Sequence, residues 1–337
     1  MSQNKNSLAI TTGTDLALKN ASKSLKITNK LLSEVDIIRP EDWQWWLNLT
    51  DILKEELLIH TSYYDDDEEY DDDKYIDKSY LYNKHLIQKY IKSILSLTEI
   101  ELEGSSTFNV RIISNLADIA KLKNLKKLNL SGNSLKNIYS LEKLYNLTEI
   151  RLFQNEISDL SPLSSLINLR RLHLGYNEIS DISPLSELTK LNFLWVYNND
   201  LKDINGLIKL KNIDQLNLSN NKIEDINSLE SMLKLVTLSL NDNAINDISS
   251  LKNLQNLKFL YLENNKIENI QSLSSLKNLI SLRLNGNIIG DVSPLAQLDN
   301  LQYLHLDSRN IESGNWLKKH LPNCEIYFLE LPDEIPF

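Results

Sequence analysis

The chain contains one cysteine, Cys324, so an intramolecular disulfide is impossible and a zinc site built on thiolates is excluded. Glycines number only eight, and none falls in a phosphate-cradling loop or a dinucleotide fingerprint. No apolar run is long enough to span a bilayer, so no stable membrane insertion is expected. The opening stretch MSQNKNSLAITTGTDLALKN has no basic segment followed by an apolar core and a cleavage site. A secretory signal is therefore not expected, and the cytoplasm is the expected location. Basic charge is also sparse: 36 Lys and Arg stand against 46 Asp and Glu, a formal net charge of −10. That balance excludes a general affinity for phosphate backbones, so nucleic acid is not an expected partner.

What the chain has in quantity is leucine at fixed spacing. From Leu122 the sequence repeats every 22 residues, with units opening at Leu122, Leu144, Leu166, Leu188, Leu210, Met232, Leu254, Leu276 and Leu298. Eight units are complete, and the ninth runs into a different ending. Apolar residues fall at positions 1, 4, 7, 9, 14, 17 and 20 of each unit, as in LINLRRLHLGYNEISDISPLSE at 166–187. Position 12 is asparagine from Asn133 through Asn287 and becomes Arg309 in the ninth unit. Positions 7 and 9 predict a short strand, and the Ser-, Asp- and Pro-rich return predicts a tight 3₁₀-like segment rather than a long helix. No unit can bury its leucines alone, so neighbours must cover one another in a stacked array. The asparagine column is read as structural: an amide can both donate to and accept from the backbone groups of the inward bends.

This pattern resembles the leucine-rich-repeat family, whose signature is L-x-x-L-x-L-x-x-N. The 22-residue length and the N-x-I-x-D-I-x-x-L phrasing are similar to the class shared by bacterial internalins and the eukaryotic phosphatase-1 regulatory subunit. The resemblance implies an α/β solenoid, a curved array with a parallel sheet on its concave face, and a bacterial protein-binding role.

Exposed terminal units would leave leucines in water, so capped ends are expected. Residues 1–38 are expected to form a leading amphipathic helical segment, with Leu18, Ala21, Leu25, Leu32 and Val35 mostly on one face of TDLALKNASKSLKITNKLLSEVD at 14–36. Such a helix can lie on the cap, dock an effector protein, or lie weakly on a membrane surface; few bulky groups and no aromatics weigh against the membrane. Residues 39–95 predict a helical cap with Trp43, Trp46, Leu47 and Ile52 near one stripe. Its acidic loop at 61–78 lacks the glycine and spaced carboxylates of a calcium loop and reads as a solvated block. Residues 96–121 are an irregular first repeat with Ile100 and Leu102 as its strand pair, 122–319 are the repeats, and 320–337 are the C-terminal cap. In that cap Cys324 reads as a small buried residue.

Positions 6, 8 and 10 flank the buried pair and line the concave sheet, and no fold requirement dictates them. Here the aromatic residues gather. Phe153, Phe193, Trp195 and Tyr197, with Tyr176 at position 11, fall in three adjacent units and are bordered by Arg151, Arg171 and His173. Phe259 and Tyr261 form a smaller group. Aromatics also favour strands for their own sake, yet other strands, such as QLNLSN, carry small polar residues at equivalent places. Tyr, Trp and Arg are enriched at the energetic centres of interfaces, and Gly175 is expected to leave a depression between them for a partner side chain.

No convergent catalytic constellation accompanies this surface, and no cofactor is expected. His173 and His305 share position 8, but six strand spacings put them roughly 28 Å apart, too far to share a metal. The expected function is non-enzymatic recognition of a protein or peptide on the concave face. Two alternatives are a sensor or adaptor of a signalling or defence system, coupled to an effector through the leading helix, and a self-assembling structural protein.

Overall fold

The structure, a computed structural model, describes residues 40–49, 54, 57, 94–102 and 116–329. The leading helix expected at 14–36 and the acidic loop at 61–78 lie outside the described residues. Strands β1 (Glu99–Glu101), β2 (Lys127–Asn129), β3 (Glu149–Arg151), β4 (Arg171–His173) and β5 (Phe193–Trp195) follow one another along the array. They continue as β6 (Gln215–Asn217), β7 (Thr237–Ser239), β8 (Phe259–Tyr261), β9 (Ser281–Arg283), β10 (Tyr303–Asp307) and β11 (Glu325–Leu329). All eleven pair in parallel and in sequence order, giving one open, curved sheet. Each step of 22 residues advances the chain by one strand, so Leu172 lies opposite Leu194, which lies opposite Leu216. A short 3₁₀ turn returns the chain along the other side of each unit.

The leucine ladder is the core. Position 7 points inward from the middle of each strand, and Leu128, Ile150, Leu172, Leu194, Leu216, Leu238, Leu260 and Leu282 are all buried. Positions 1, 4, 9, 14, 17 and 20 close the remaining sides.

Three polar columns explain the rest of the repeat. The position-12 asparagine bridges two units: Asn199 Nδ2 donates to Leu174 O at 3.0 Å and to Val196 O at 3.1 Å, and its Oδ1 accepts from Ile179 N at 2.9 Å. The same arrangement recurs at Asn155, Asn177, Asn221, Asn243 and Asn265. Position 16 is Asp or Asn, and its Oδ1 accepts the backbone N–H two residues on at 2.7–2.9 Å, from Asn137 through Asp291. That cap starts each 3₁₀ turn, as Asx turns do. At position 3, Asn146, Asn168, Asn212, Asn256, Asn278 and Asn300 donate to a carbonyl of the preceding unit.

Position 11 sets the bend after each strand and has positive φ in all eight complete units. Six of the eight carry Gly, Asn or Asp there: Gly132, Asn198, Asn220, Asp242, Asn264 and Gly286. These residues tolerate the left-handed region. Gln154 at φ 56° and Tyr176 at φ 55° do not suit it, and both stand beside the aromatic patch.

At the start of the array, helix α1 (Pro40–Asn48) lies against the 3₁₀ segment Leu116–Lys121. Trp45 Nε1 donates to Asp118 O at 2.9 Å, and Lys121 Nζ pairs with Asp42 at 2.8 Å. The buried stripe differs from the expected one. Trp45, Trp46 and Leu49 are buried, whereas Leu47 is exposed, because the helix meets the array along its 42–45–46–49 side. At the far end, Asn310 Nδ2 donates to Ile289 O at 3.0 Å, and Arg309 Nε approaches Asp307 at 3.5 Å. Helix α2 (Ile311–His320) then covers the last unit with Leu317, and Cys324 is buried beside Leu321. Burial with Glu325 adjacent pushes the Cys324 thiol up to about 11, so it is no ready nucleophile.

Replacing a bridging asparagine should be felt throughout its two units. Asn199→Ala leaves the Ile179 N–H without its acceptor and removes donors from Leu174 and Val196, a loss of about 2–3 kcal/mol. Urea denaturation monitored by circular dichroism measures it, and a loss below half a kcal/mol would contradict the bridging role.

Candidate functional site

The aromatic patch is built from the outward positions of β3, β4 and β5 and the bends that follow them. At its border Glu149 organises the cations. Arg151 Nη2 lies 2.8 Å from Glu149 Oε1, and Arg171 Nε lies 3.8 Å from Oε2. Arg171 also lays its guanidinium over Phe193, 4.0 Å from the ring centroid. Phe193 has Trp195 on it as well, at 4.5 Å, and is left only 8% exposed. Phe193 thus supports the patch from below rather than presenting its own face.

His173 sits at the centre. Its ring lies 5.2 Å from Phe153, 5.2 Å edge-on from Trp195 and 5.6 Å from Tyr197. Its Nε2 is 3.3 Å from the Tyr197 hydroxyl. Burial among the rings, reinforced by Arg151, drives its pKa down to about 4, so the ring is neutral at pH 7. Tyr176 stands edge-on to Phe153 at 5.3 Å and to Tyr197 at 5.6 Å, and is 50% exposed. Six aromatic side chains therefore form one cluster, counting the imidazole and reading the contacts pairwise from Phe153 to Trp195. Edge-to-face pairs of this kind favour one arrangement over many.

The depression expected over Gly175 is absent. The Tyr197 ring fills it: a Cβ on Gly175 would stand 2.7 Å from Tyr197 Cε1 and Cζ. Glycine is needed there to seat the protein's own tyrosine, not a partner's side chain.

Phe259 and Tyr261 do not join this cluster; they lie on β8, three strands beyond β5. Tyr261 belongs instead to a row along position 8, with Phe259 beside it at position 6. Tyr261 is opposite Arg283, Arg283 opposite His305, and His305 opposite Tyr327. The Arg283 guanidinium lies 5.1 Å from the Tyr261 centroid, and His305 stacks on Tyr327 at 4.9 Å. Arg283 and Tyr327 were not among the residues singled out from the sequence, and His305 was weighed there only as a metal ligand. The signal was the position-8 column itself, carried one strand further into EIYFL, where Ile326 and Phe328 occupy the inward positions. Among the described residues no cluster of His, Cys, Asp and Glu is placed to hold a metal ion, and no helix is long and apolar enough to cross a membrane.

The family described as leucine-rich repeats (two copies) matches residues 123–165, 145–187, 167–209 and 233–275. Internalin C2 from Listeria monocytogenes is similar in structure, with 33% identity, a TM-score of 0.53, and coverage of 57% of this chain and 84% of that one. This chain belongs to the leucine-rich-repeat family. A second Listeria monocytogenes internalin (inlF) gives 28% identity and a TM-score of 0.57 over 71% of this chain and 82% of that one. The leucine-rich-repeat fold extends to a plant peptide hormone receptor, RGFR1, solved in complex with RGF2, at 19% identity and a TM-score of 0.53, covering 64% of this chain and 41% of that one. A comparison with curated protein sequences returns no match. The array described here shares the leucine-rich-repeat architecture of these internalins.

Two measurements test the cluster in the free protein. His173 should titrate near pH 4 by NMR; because its folded pKa lies below the ordinary 6.5, its contribution to stability is present above pH 6.5 and is lost as pH falls through about 4. A His173 pKa near 6.5 would show an open, wet site. Gly175→Ala should displace the Tyr197 ring, at a cost of about 1–3 kcal/mol from overpacking, and move the His173 pKa upward; an unmoved pKa would mean the ring had not shifted.

Proposed function

We propose that the concave face binds a protein or peptide through the patch formed by Trp195, Tyr197, Tyr176, Phe153 and Arg171, without a catalytic step. One observation carries this reading: Tyr176 holds a left-handed backbone that six of its seven counterparts give to Gly, Asn or Asp and reserve from bulky side chains. A bulky residue there costs about 1–2 kcal/mol. Strain retained at an exposed ring in the middle of an aromatic cluster is the mark of a residue kept for what it contacts. The rings are already locked against one another, so little side-chain freedom remains to be lost when a partner arrives.

Trp195→Ala should weaken the partner complex by about 2–4 kcal/mol while leaving the solenoid folded. Phe193 is left in place in this test because it is buried. Affinity capture with the wild type and the variant identifies the partner, and calorimetry measures the difference; unchanged affinity would remove Trp195 from the interface. Tyr176→Gly separates strain from contact: relief of the left-handed backbone should hold or raise the melting temperature, while binding falls.

A second reading, an adaptor passing recognition to an effector through residues 14–36, is favoured by the apolar stripe in the sequence of that segment. Deleting residues 1–38 should then abolish one partner and spare capture by the repeats. Loss of both, or of neither, would exclude it.

A further inference from the structure

Between the two aromatic groups the concave face changes character. The outward positions of β6 and β7 carry Gln215, Asn217, Thr237 and Ser239, uncharged and short, where their neighbours carry rings and guanidinium groups. Beyond them, position 10 places Glu263 and Asn285 just past the ends of the adjacent strands β8 and β9. Glu263 is mostly buried, with 14% of its side chain exposed, and Arg283 reaches only its Oε1, at 3.4 Å. Glu263 Oε2 and Asn285 Oδ1 are buried acceptors with no hydrogen-bond partner among the described residues. Each such oxygen keeps its full desolvation cost until a donor reaches it. The surroundings favour a cationic donor. Asp242, Glu263, Asp307 and Glu325 stand against Arg283 and Arg309, and the Tyr261 and Tyr327 rings lie in the adjoining row. At the other end Glu99, Glu101 and Glu149 are matched by Lys127, Arg151 and Arg171, so no such excess exists.

We propose that the face takes one extended polypeptide running across the strands, with an apolar side chain on Trp195 and a lysine or arginine donating to Glu263 and Asn285. The short amides and hydroxyls between them face its backbone. Three strand spacings separate β5 from β8, about 14–15 Å, and an extended chain advances about 3.3 Å per residue, so the two anchors lie four to five residues apart. This rests on the reading of the aromatic patch and adds the second anchor, its chemistry and its distance.

The test is selection of short random linear peptides displayed on phage against the full chain. Selected peptides should pair an apolar or aromatic residue with a basic one at that spacing. Trp195→Ala and Glu263→Gln should each weaken them about tenfold or more. Replacing the peptide's basic residue with glutamine, on the unaltered protein, should give the same loss, and should add little in the Glu263→Gln background. Peptides that depend on Trp195 but carry no basic residue at that spacing, or bind Glu263→Gln at full strength, overturn the second anchor and leave the aromatic reading standing. Failure to select any peptide sensitive to Trp195→Ala overturns both.

Discussion

A 22-residue unit has too little surface to close around its own leucines, and its bend turns backbone groups away from water. Neighbouring units solve both problems together. The leucines are covered by the unit above and the unit below, and one asparagine per unit ties the bend to the unit before it: Asn199 donates to Leu174 and Val196 and accepts from Ile179. The period cannot drift, because a shift by one residue would move the amide off all three groups and turn the inward leucine outward. Where the asparagine ends, at Arg309, the unit form ends as well: β10 lengthens, helix α2 follows, and Leu317 takes over the covering role.

This tight specification of the inside is what frees the outside. Positions 7 and 9 hold the leucines, position 12 the bridge, position 16 the turn cap and position 11 the left-handed bend. Positions 6, 8 and 10 answer to none of these demands, so a ring or an arginine there has to be explained by its neighbours or by something that binds. Both explanations apply to the first patch. Phe193 is held under Arg171 and Trp195, and Gly175 exists to admit Tyr197. The cluster organises itself, and what it offers outward is the remainder: the half-exposed Tyr176, the open sides of Trp195 and Phe153, and Arg171.

The repeat, its phase and the parallel stacking were legible in the sequence, because a period of 22 with apolar residues at seven fixed places admits few arrangements. The residues forming the first aromatic group were legible too, since strand alternation assigns faces without knowing contacts. What the sequence did not disclose was how those residues meet. Alternation says that Gly175 and Tyr197 both face the hollow; it does not say that a ring from one strand leans across to the next and fills the space. Nor does it distinguish Phe193 as support from Trp195 as surface. The position-3 asparagines were hidden for another reason. Lysine replaces asparagine at Lys190 and Lys234, where the amine donates instead to Asn168 or Asn212, so the column keeps its hydrogen bonding while changing its letter. The row through Tyr261, Arg283, His305 and Tyr327 crosses from the repeats into the closing segment; one more step of 22 from His305 reaches Tyr327, but the apolar pattern of the unit has ended by then.

The contrast between the two ends of the concave face follows from how charge is handled. Around the first patch every carboxylate has an arginine or lysine within 4 Å, as Glu149 has Arg151 and Arg171. Such pairing removes net field and leaves shape and aromatic area to discriminate. Around Glu263 the pairing is partial: one long contact to Arg283 serves one oxygen, and burial pushes the carboxyl above the ordinary carboxylate range. A group in that position is sensitive to whichever donor approaches, because the same desolvation that raises its cost when alone strengthens its attraction to a cation. The short side chains of β6 and β7 lie between a neutral, ring-walled region and an unsatisfied, acidic one. A curved sheet with large groups at two places and small ones between has its backbone closest to the hollow in the middle, where an extended chain has the most to gain from approaching it.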